Sequence, residues 1–597
     1  MDSLNRGGTT LDSPEQQQIS DGKRALPRCS SGAIRILAWL ILAQLILLSA
    51  NAAQPSPRRL GITPSDQPLE VPALEPADSK PPVTQQPAAP PESPSKERET
   101  IRRGPKVFIN EIQLNGNTIF SRSDLAQITA SYENRSVTNE ELQELRHALT
   151  LYYVDRGYIN SGAVIPDQQV VKGVVKIQIV EGRLTEILID GNERLRAEYI
   201  KERLNLGAGP PLNINKLQSQ IQIVLQDPNI EIINGALRPG DRPGEAKLEA
   251  RVKERAPYDL YLFADNQLSP SLGDLRGVLQ GSIYNMTGWG DSLTAEFDFA
   301  EGLNEYFLNY SIPVNKWDTR IDLWIDKSDS AVQEKPFDEL DIEGEASTLS
   351  LGIAHPFYRT PQQRFEMGLG IEIRRSRTYL LGEGFAFSAG VSSDGRSKIT
   401  VIRFSQDWLD RRANQVVAAR SSFRFGIDAF DATINESGPD GEYLSWLGQF
   451  QWIRRMGEAG DQLHFRTHLQ LTSAGLLPME QFTVGGLRCS RGYRKNELVR
   501  DAGYCASLEY RIPILRNQTG QTLLQLAPFG DIGGAWFKDR DTPSPRNLAS
   551  LGVGLLWDPH PKVHGELYWG YALEDVDHPT TTAQDNGIHF LLSMDLY

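Results

Sequence analysis

Few residues in this sequence suit metal, redox or nucleotide chemistry. Three cysteines and eight histidines occur among its 597 residues. Cys489 and Cys505 have no adjacent pair of histidines with which to complete a zinc site. The stretch "GGLRCSRG" around Cys489 lacks both the Walker spacing and the following Lys-Ser or Lys-Thr of a phosphate-binding loop. We therefore predict no metal, no cofactor and no catalytic residue, and we do not expect an enzyme.

Positive charge is also scarce relative to negative charge. The chain carries 62 Lys and Arg residues against 76 Asp and Glu residues, a formal net charge of -14 at pH 7. Binding to phosphate backbones needs an excess of Lys and Arg, so this balance argues against a general nucleic-acid binder. The acidity identifies no partner by itself.

The amino-terminal part of the sequence has one prominent apolar run, residues 36–50, which is short for a helix that spans a bilayer. Basic residues precede it, and Ala50, Asn51 and Ala52 supply the small-x-small pattern that signal peptidase accepts. We predict a cleaved export signal with a long polar leader over residues 1–52, with a retained membrane anchor as the alternative. Residues 53–105 hold 13 prolines and few large apolar side chains, and are predicted to be an extended linker.

Beyond the linker, strands and helices follow in an order that occurs twice. The first unit has a strand ending in "NGN", a short helix, a long helix and two strands. Thr138 and Glu141 have capping-box spacing at the start of the long helix, and Leu142, Leu145, Leu149 and Tyr152 share one of its faces. The second unit repeats this order after a strand that ends in "DGN". We predict two α+β domains, over residues 106–183 and 184–254.

From residue 255 onward helical periodicity disappears, and apolar and polar residues alternate. In "SLTAEFDFA", Leu293, Phe297 and Phe299 face one way, whereas Glu296 and Asp298 face the other. The segment "DQLHFRTHLQL" repeats the pattern and places two histidines on its polar face. These histidines are predicted to line a solvated wall rather than to act as general bases. The pattern indicates two-faced strands of about ten residues.

Such strands occur in soluble sandwiches and barrels, with the apolar face inward, and in membrane barrels, with the apolar face outward. The membrane barrel is favoured, because the polar faces carry many charged and amide groups and the chain is predicted to be exported. The final segment, "GIHFLLSMDLY", has alternating Ile588, Phe590 and Leu592 before Tyr597 and is similar to the closing strand of an outer-membrane barrel. Residues 255–597 are therefore predicted to form such a barrel.

The whole arrangement resembles the two-partner secretion transporters, the TpsB or haemolysin secretion-activation type (ShlB/FhaC/HecB), within the POTRA-barrel superfamily. Four local matches carry the resemblance: "EGRL" at 181–184, "YNMTGWGDSL" at 284–293, "FTVGGLRCSRGY" at 482–493 and "PFGDIGGAWF" at 528–537. The resemblance implies a transmembrane β-barrel of about 16 antiparallel strands, preceded by two α+β POTRA (polypeptide-transport-associated) domains. No amino-terminal plug helix of the kind many members carry is recognisable in the linker.

The resemblance also implies a functional site. In the superfamily a Val-Arg-Gly-Tyr or Val-Arg-Gly-Phe motif at the tip of the sixth extracellular loop folds into the lumen and contacts a Phe-x-Asp-x-Gly motif on the barrel wall. The corresponding residues here are Arg491, Gly492 and Tyr493 in the loop, and Phe529, Asp531 and Gly533 on the wall. Ser490 departs from the motif because it replaces the valine. Cys489 and Cys505 are expected either to form a disulfide or to remain two free thiols.

The function implied by the resemblance is secretion of a partner protein across the bacterial outer membrane. The POTRA domains, in the periplasm, are expected to capture an unfolded exoprotein of the TpsA type, which then passes through a monomeric barrel. No segment is similar to a nucleotide-hydrolysis site, so the transport is expected to be independent of ATP. The alternatives are an insertase that assembles other outer-membrane barrels, and a passive porin or surface receptor.

Overall fold

The computed structural model describes residues 106–578 and 580–597. The predicted export signal (1–52) and the predicted proline-rich linker (53–105) lie outside the described residues. Within the described part of the chain, no helix is both long enough and apolar enough to cross a membrane.

The first α+β unit is built around a small mixed sheet. Its elements are β1 (Val107–Ile109), β2 (Glu111–Asn115), α1 (Arg122–Thr129), β3 (Arg135–Val137), α2 (Asn139–Val154), β4 (Gly162–Val164) and β5 (Val174–Val180). Strand β5 lies in the centre, parallel to β2 and antiparallel to β4, while β1 pairs with β3. Both helices pack their apolar faces against β5, so one core lies between helices and sheet.

Helix α2 begins at the predicted capping box. The Thr138 hydroxyl accepts a hydrogen bond from the Glu141 amide, and the Glu141 carboxylate accepts one from the Thr138 amide at 2.7 Å. Tyr152, which was predicted to lie on the buried face, is only partly buried. The buried side chains of the helix are Leu145, Leu149 and Tyr153. Each large apolar side chain that is fully buried contributes about 1.5–3 kcal/mol, so this face holds the helix on the sheet.

The second unit has the same design. Its elements are β6 (Arg183–Asp190), α3 (Ala197–Asn205), α4 (Ile214–Leu225), β7 (Ile230–Pro239) and β8 (Glu245–Glu254). Strand β8 is central, parallel to β6 and antiparallel to β7. Alternate residues of β8 face the helices, which explains the alternating pattern of "EAKLEARVKE"; the buried ones are Ala246, Leu248, Ala250 and Val252.

In each unit, a carboxylate at the end of the last strand accepts hydrogen bonds from the turn that follows the first strand of the three-stranded sheet. The strands are β5 and β2 in the first unit, and β8 and β6 in the second. Glu181 accepts hydrogen bonds from the amides of Thr118 and Ile119 at 2.7 and 3.0 Å. Glu254 accepts from the amides of Glu193, Arg194 and Leu195 at 2.8 to 3.0 Å. Burial acts to raise the pKa of Glu181, but the hydrogen bonds from the turn outweigh burial and hold that pKa below its usual value. The repeat visible in sequence is thus also a repeat of hydrogen bonding.

The remainder of the described chain is dominated by a closed antiparallel barrel. Its sixteen strands are β9 (Tyr258–Asp265), β10 (Arg276–Tyr284), β11 (Ser292–Ala300), β12 (Leu303–Pro313), β13 (Arg320–Ala331), β14 (Ile342–Arg359), β15 (Gln363–Leu380), β17 (Arg396–Arg412), β18 (Gln415–Ile427), β19 (Leu444–Met456), β20 (Asp461–Thr472), β23 (Ala502–Arg516), β24 (Thr522–Trp536), β25 (Asn547–His560), β26 (Val563–Ala572) and β27 (Ile588–Asp595). Three short strands, β16 (Glu383–Gly384), β21 (Phe482–Val484) and β22 (Leu498–Arg500), lie in its loops. Each long strand pairs with its sequence neighbour, and β27 pairs with β9 to close the ring.

The barrel carries apolar side chains outside and polar side chains inside. On β13, Ile321, Leu323 and Ile325 are exposed on the outer surface, whereas Asp322 and Trp324 are buried inside. This distribution is the reverse of a soluble protein and is typical of a barrel that faces lipid. It confirms the predicted fold class. Strands β14 and β15, at 18 residues each, exceed the predicted length of about ten residues.

The two ends of the barrel differ. The second α+β unit contacts the connections at one end: Arg196 Nε donates to Thr287 O at 3.3 Å, and Gln226 Nε2 donates to Pro361 O at 2.7 Å. That end has short connections, such as 413–414 and 561–562. The opposite end has long loops, among them 428–443 and 473–501. Counted from β9, the loop 473–501 is the sixth at that end, and we call it loop 6.

Candidate functional site in the barrel lumen

Loop 6 folds back into the lumen instead of standing outside the barrel. Within it, β21 and β22 form a short antiparallel pair that matches Phe482 to Arg500 and Val484 to Leu498. The segment between them contains the predicted motif, and its Arg491 has no exposed surface. Loops usually lie at the surface, because their backbone groups need hydrogen-bond partners. A buried loop of this kind must find those partners on the barrel wall.

The structure brings Arg491 and Asp531 together. Arg491 Nε donates to Asp531 Oδ2 at 2.8 Å, and Nη2 donates to Oδ1 at 2.9 Å. The Arg491 amide also donates to Oδ2, at 3.0 Å. Two parallel bonds from a planar guanidinium fix both the distance and the orientation of the carboxylate, which a lysine cannot do. Asp531, on β24, therefore holds the side chain and the backbone of the loop tip together.

Further wall residues complete the surroundings of Arg491. Phe529 was predicted from the sequence, whereas Ser507, Glu509 and Tyr568 were not. Nη2 donates to Ser507 Oγ at 2.9 Å, and Nη1 pairs with Glu509; both partners lie on β23. The guanidinium carbon lies 3.6 Å from the centroid of the Phe529 ring and 4.7 Å from that of Tyr568. Stacking on aromatic faces adds to the ionic contacts. Ser507 and Glu509 are two residues apart in the sequence, which is a signal that both face the same side of a strand. This spacing does not identify Arg491 as their partner.

The two motif glycines permit close packing. A Cβ on Gly492 would lie 2.9 Å from the Ser550 Cβ and 3.1 Å from the Ala572 amide nitrogen. Gly492 is not among the described residues with positive φ, so it is needed for this close approach rather than for a left-handed backbone conformation. A Cβ on Gly533 would lie 2.6 Å from Val484 Cγ1, so the loop lies directly on the wall.

Tyr493 and Ser490 are buried beside the ion pair of Arg491 and Asp531, which we call the clasp. The Tyr493 hydroxyl donates to Ala549 O at 3.0 Å and accepts from the Glu574 amide at 3.0 Å. Ser490 has no exposed surface, and its amide donates to Gly486 O at 3.2 Å. The smaller side chain at this motif position thus remains inside the packed loop.

Cys489 and Cys505 form a disulfide, with their Cα atoms 5.4 Å apart. Of the two alternatives left open by the sequence, the structure has the bonded pair. Cys505 lies inside β23, however, so the bond joins the loop tip to the barrel wall rather than the two ends of the loop. Both residues are buried in one cluster with Tyr493 and Leu498. Among the described residues there is no group of three His, Cys, Asp or Glu side chains placed to hold a metal ion.

The outer side of loop 6 is tied to two neighbouring loops. Arg494 Nε and Nη2 donate to the two Asp585 oxygens at 2.7 Å each, and Nη1 donates to Glu334 Oε1 at 3.0 Å. Glu334 belongs to the loop between β13 and β14, and Asp585 to the loop between β26 and β27. Loop 6 therefore binds the barrel wall at its tip and also joins the loops at the outer rim.

A lipid-facing barrel with an inward loop clasped to its wall, and with α+β units at its other end, defines a POTRA-barrel protein of the outer membrane. Residues 244–556, more than half of the chain, match the family described as haemolysin secretion/activation protein ShlB/FhaC/HecB, and residues 107–182 match the ShlB-type POTRA domain. The chain belongs to the ShlB/FhaC/HecB family. Its barrel lies in the outer membrane, and the POTRA region of this family is periplasmic.

Relatives with curated names are transporters. HuxB of Haemophilus influenzae, a heme/hemopexin transporter protein, is 24% identical over 269 residues, which are 44% of this chain and 47% of HuxB. The outer membrane transporter CdiB of Dickeya dadantii is 21% identical over 435 residues, 70% of this chain and 75% of CdiB. The chain thus matches about half the length of HuxB and about three quarters of CdiB. The structure of CdiB from Escherichia coli shares the fold, with a TM-score of 0.62, 20% identity, and coverage of 84% of this chain and 93% of CdiB.

Proposed function

We propose that this protein secretes a partner exoprotein across the outer membrane. Its POTRA domains take the unfolded client in the periplasm, and the client leaves through the barrel. Membership of the ShlB/FhaC/HecB family supports the proposal. The observation that carries it is a cavity of about 490 Å³, which runs from POTRA residues such as Tyr199 and Asp227 to wall residues such as Glu305 and Arg403. A path with polar walls between the capture domain and the lumen suits an extended polypeptide.

Capture by strand addition is the mode we propose for the POTRA domains. Each of their three-stranded sheets has an outer strand that pairs on one side within the described chain, such as β4 and β7. Val164 on β4 is 46% exposed, which leaves an apolar side chain beside that edge. Unpaired backbone groups at a sheet edge give affinity for an extended chain, largely independent of its sequence. That property fits an unfolded client.

The clasp between Arg491 and Asp531 is proposed to hold loop 6 in the lumen until a client displaces it. Gly492, Tyr493, Phe529 and Gly533 are proposed to shape this contact. The client is proposed to be of the TpsA type and the barrel to work as a monomer, since β27 pairs with β9 of the same chain and leaves the barrel closed on itself. Folding of the client outside the cell would supply the driving force without ATP.

Deletion of the gene tests the proposal. The culture medium of the deletion strain should lose a large secreted protein encoded beside the gene, and the intact gene should restore it. Secretion that continues unchanged would overturn the proposal. An insertase would instead be revealed by a general loss of outer-membrane barrels, and a porin or receptor by altered solute uptake with normal secretion.

A further inference from the structure

The outer surface of strands β13, β14 and β15 carries three successive apolar rows, each of which joins residues that are opposite each other in the strand register. A band of outward apolar side chains on such a barrel lies in the hydrocarbon of the bilayer. The edge of the band that is farther from the POTRA domains therefore marks the level of the outer lipid head groups. The rows, in order toward that edge, are Ile321, Ile353 and Leu369; Leu323, Leu351 and Ile371; and Ile325, Leu349 and Ile373.

The next row outward is basic, and we call it the basic row. In the strand register, Lys327 is opposite Ser347, Ser347 is opposite Arg375, and Arg375 is opposite Lys398 of β17. Lys327 and Arg375 are exposed, and Lys398 is partly exposed. On the other side of Lys327 the row continues to Tyr306 of β12, which is 52% exposed. Tyrosines and long basic side chains are typical of the boundary between lipid and water.

Two pairs of like charges lie side by side on this surface. Arg375 is directly opposite Lys398, and one row further out Arg377 is directly opposite Arg396. Like charges that are directly opposite destabilise a sheet, and an anion bound between them would offset the repulsion. Arginine suits a phosphate in particular, because its guanidinium donates two parallel hydrogen bonds to a pair of phosphate oxygens.

The carboxylates near these cations lie one row further out or on exposed loops. Among the described residues from β12 to β17, the basic row contains no carboxylate. Each ion pair below has a partner that is more than half exposed, so it contributes little and leaves its cation able to bind another anion. The pairs are Lys327 Nζ to Asp329 at 3.5 Å, Arg396 Nε to Asp394 at 3.3 Å and Lys398 Nζ to Asp431 at 3.2 Å; Arg377 is opposite Glu345 and also acts on Asp394.

We propose that the basic residues of these two rows form a binding site for the phosphate groups of lipid A, the phosphorylated glycolipid part of lipopolysaccharide; they are Lys327, Arg375, Arg377, Arg396 and Lys398. The acyl chains of the lipid would lie against the apolar rows, and its phosphates against the basic row. From β13 to β17 the basic row spans three strand spacings, about 14 Å, which is wide enough to meet more than one phosphate. The inference rests on the outer-membrane location of the barrel and not on the proposed secretion.

Binding of fluorescent lipid A to the purified full-length protein in a zwitterionic detergent tests the site. Arg375→Gln with Lys398→Gln removes the pair of like charges nearest the apolar band. This double variant should bind lipid A about tenfold more weakly or worse, because each cation near an anionic membrane surface contributes about fivefold in affinity. Arg375→Gln alone should show part of the loss, and Arg375→Lys, which keeps the charge, should lose less. Raising the salt concentration should weaken binding to the original protein.

Three controls separate this site from general charge effects and from free anions. Lys538→Gln with Arg540→Gln removes two exposed cations from a loop at the same end of the barrel and should leave lipid A binding unchanged. Lipid A without its phosphates should bind the original protein no better than it binds the Arg375→Gln, Lys398→Gln variant. Inorganic phosphate at the concentration of the lipid should not compete, because it has no acyl chains for the apolar rows to hold. Heat-modifiable electrophoretic mobility verifies that each variant retains a folded barrel.

The site is refuted if the folded Arg375→Gln, Lys398→Gln variant binds lipid A as tightly as the original protein, or if lipid A binds equally well without its phosphates. An equal loss in the Lys538→Gln, Arg540→Gln variant would also refute it, by showing that any two cations at this end contribute alike. Effective competition by inorganic phosphate would reject lipid A as the ligand, because the rows would then bind free anions.

Discussion

Arg203 of the second POTRA domain lies 2.7 Å from Asp318 of the barrel, and this ion pair joins two parts of the chain that are distant in sequence. Arg203 Nη2 also donates to Asn315 O at 3.2 Å, and Arg359 of the barrel pairs with the same Asp318. Only 5% of the Arg203 side chain is exposed. One carboxylate on a connection of the barrel therefore binds the POTRA domain beside the cavity, which Arg203 and Asp318 both line.

Arg203→Ala should loosen the second POTRA domain from the barrel. Loss of one partner of a buried, hydrogen-bonded ion pair costs about 2–5 kcal/mol, and the lower end applies because Asp318 is 28% exposed. Spin labels at Glu202 and Val314 report the distance between the two parts. Their distance distribution should broaden in the variant. Arg242→Ala, on an exposed turn of the same domain, is the matched control. An equal effect of both changes would show that the Arg203 ion pair does not hold the domain in place.

Arg491→Ala and Asp531→Ala should each impair secretion while the barrel remains inserted. Removing either partner leaves a buried charge without its counterpart, at a cost of about 3–5 kcal/mol to the docked loop. Arg491→Lys should also impair secretion, because an ammonium keeps the charge but loses the forked hydrogen bonds and the stacking on Phe529. The assay is the amount of exoprotein in the medium at equal levels of barrel.

Arg540→Lys is the matched control for this series. Arg540 stacks on Phe537 at 3.5 Å but lies exposed at the outer end of the barrel, away from the lumen clasp. Its replacement should leave secretion unchanged. Normal secretion by both the Arg491→Ala and Asp531→Ala variants would dismiss the clasp as part of the mechanism.

Removing the disulfide should loosen the tip of loop 6. Cys489→Ser with Cys505→Ser deletes a covalent link between the loop and β23 that closes a short segment; links of this size contribute about 3 kcal/mol in the chain-entropy model. The tip should become more accessible to trypsin at Arg488 and Arg491 in reconstituted vesicles. Equal cleavage rates with and without the bond would show that the ionic clasp alone fixes the tip.

Glu181→Gln should destabilise the turn after β2 at neutral pH. The pKa of Glu181 is lowered in the folded state, so its contribution to stability is present above its unfolded pKa and is lost as the pH falls through the folded value. Amide hydrogen exchange at Thr118 and Ile119 should be faster in the variant at pH 7. The difference from the original protein should shrink at acidic pH, below the usual value of 4.5 for the carboxyl. A difference that is constant with pH would contradict this role.

Local patterns made the fold predictable, whereas the surroundings of the site depend on contacts between distant residues. Alternation along single strands such as β13 identified the barrel, and the capping box at Thr138 identified a helix start, because both are properties of short segments. Ser507 and Glu509 meet Arg491 only when loop 6 folds inward, a contact that no spacing in the sequence encodes. The domain boundaries and the roles of the motif residues stay predictions.

The carboxylates of Glu181 and Glu254 have a consequence for how such a protein can change during evolution. Each comes from the end of its own unit and fastens the first turn of that unit, so a unit contains the contacts that complete it. A duplicated copy would bring its own fastening residue, but it would also need partners for the hydrogen bonds that join neighbouring units, such as Asn160 Nδ2 to Gly244 O at 2.9 Å. Duplication of a unit would therefore copy this turn contact intact, whereas only the last unit is bound to the barrel through Arg203.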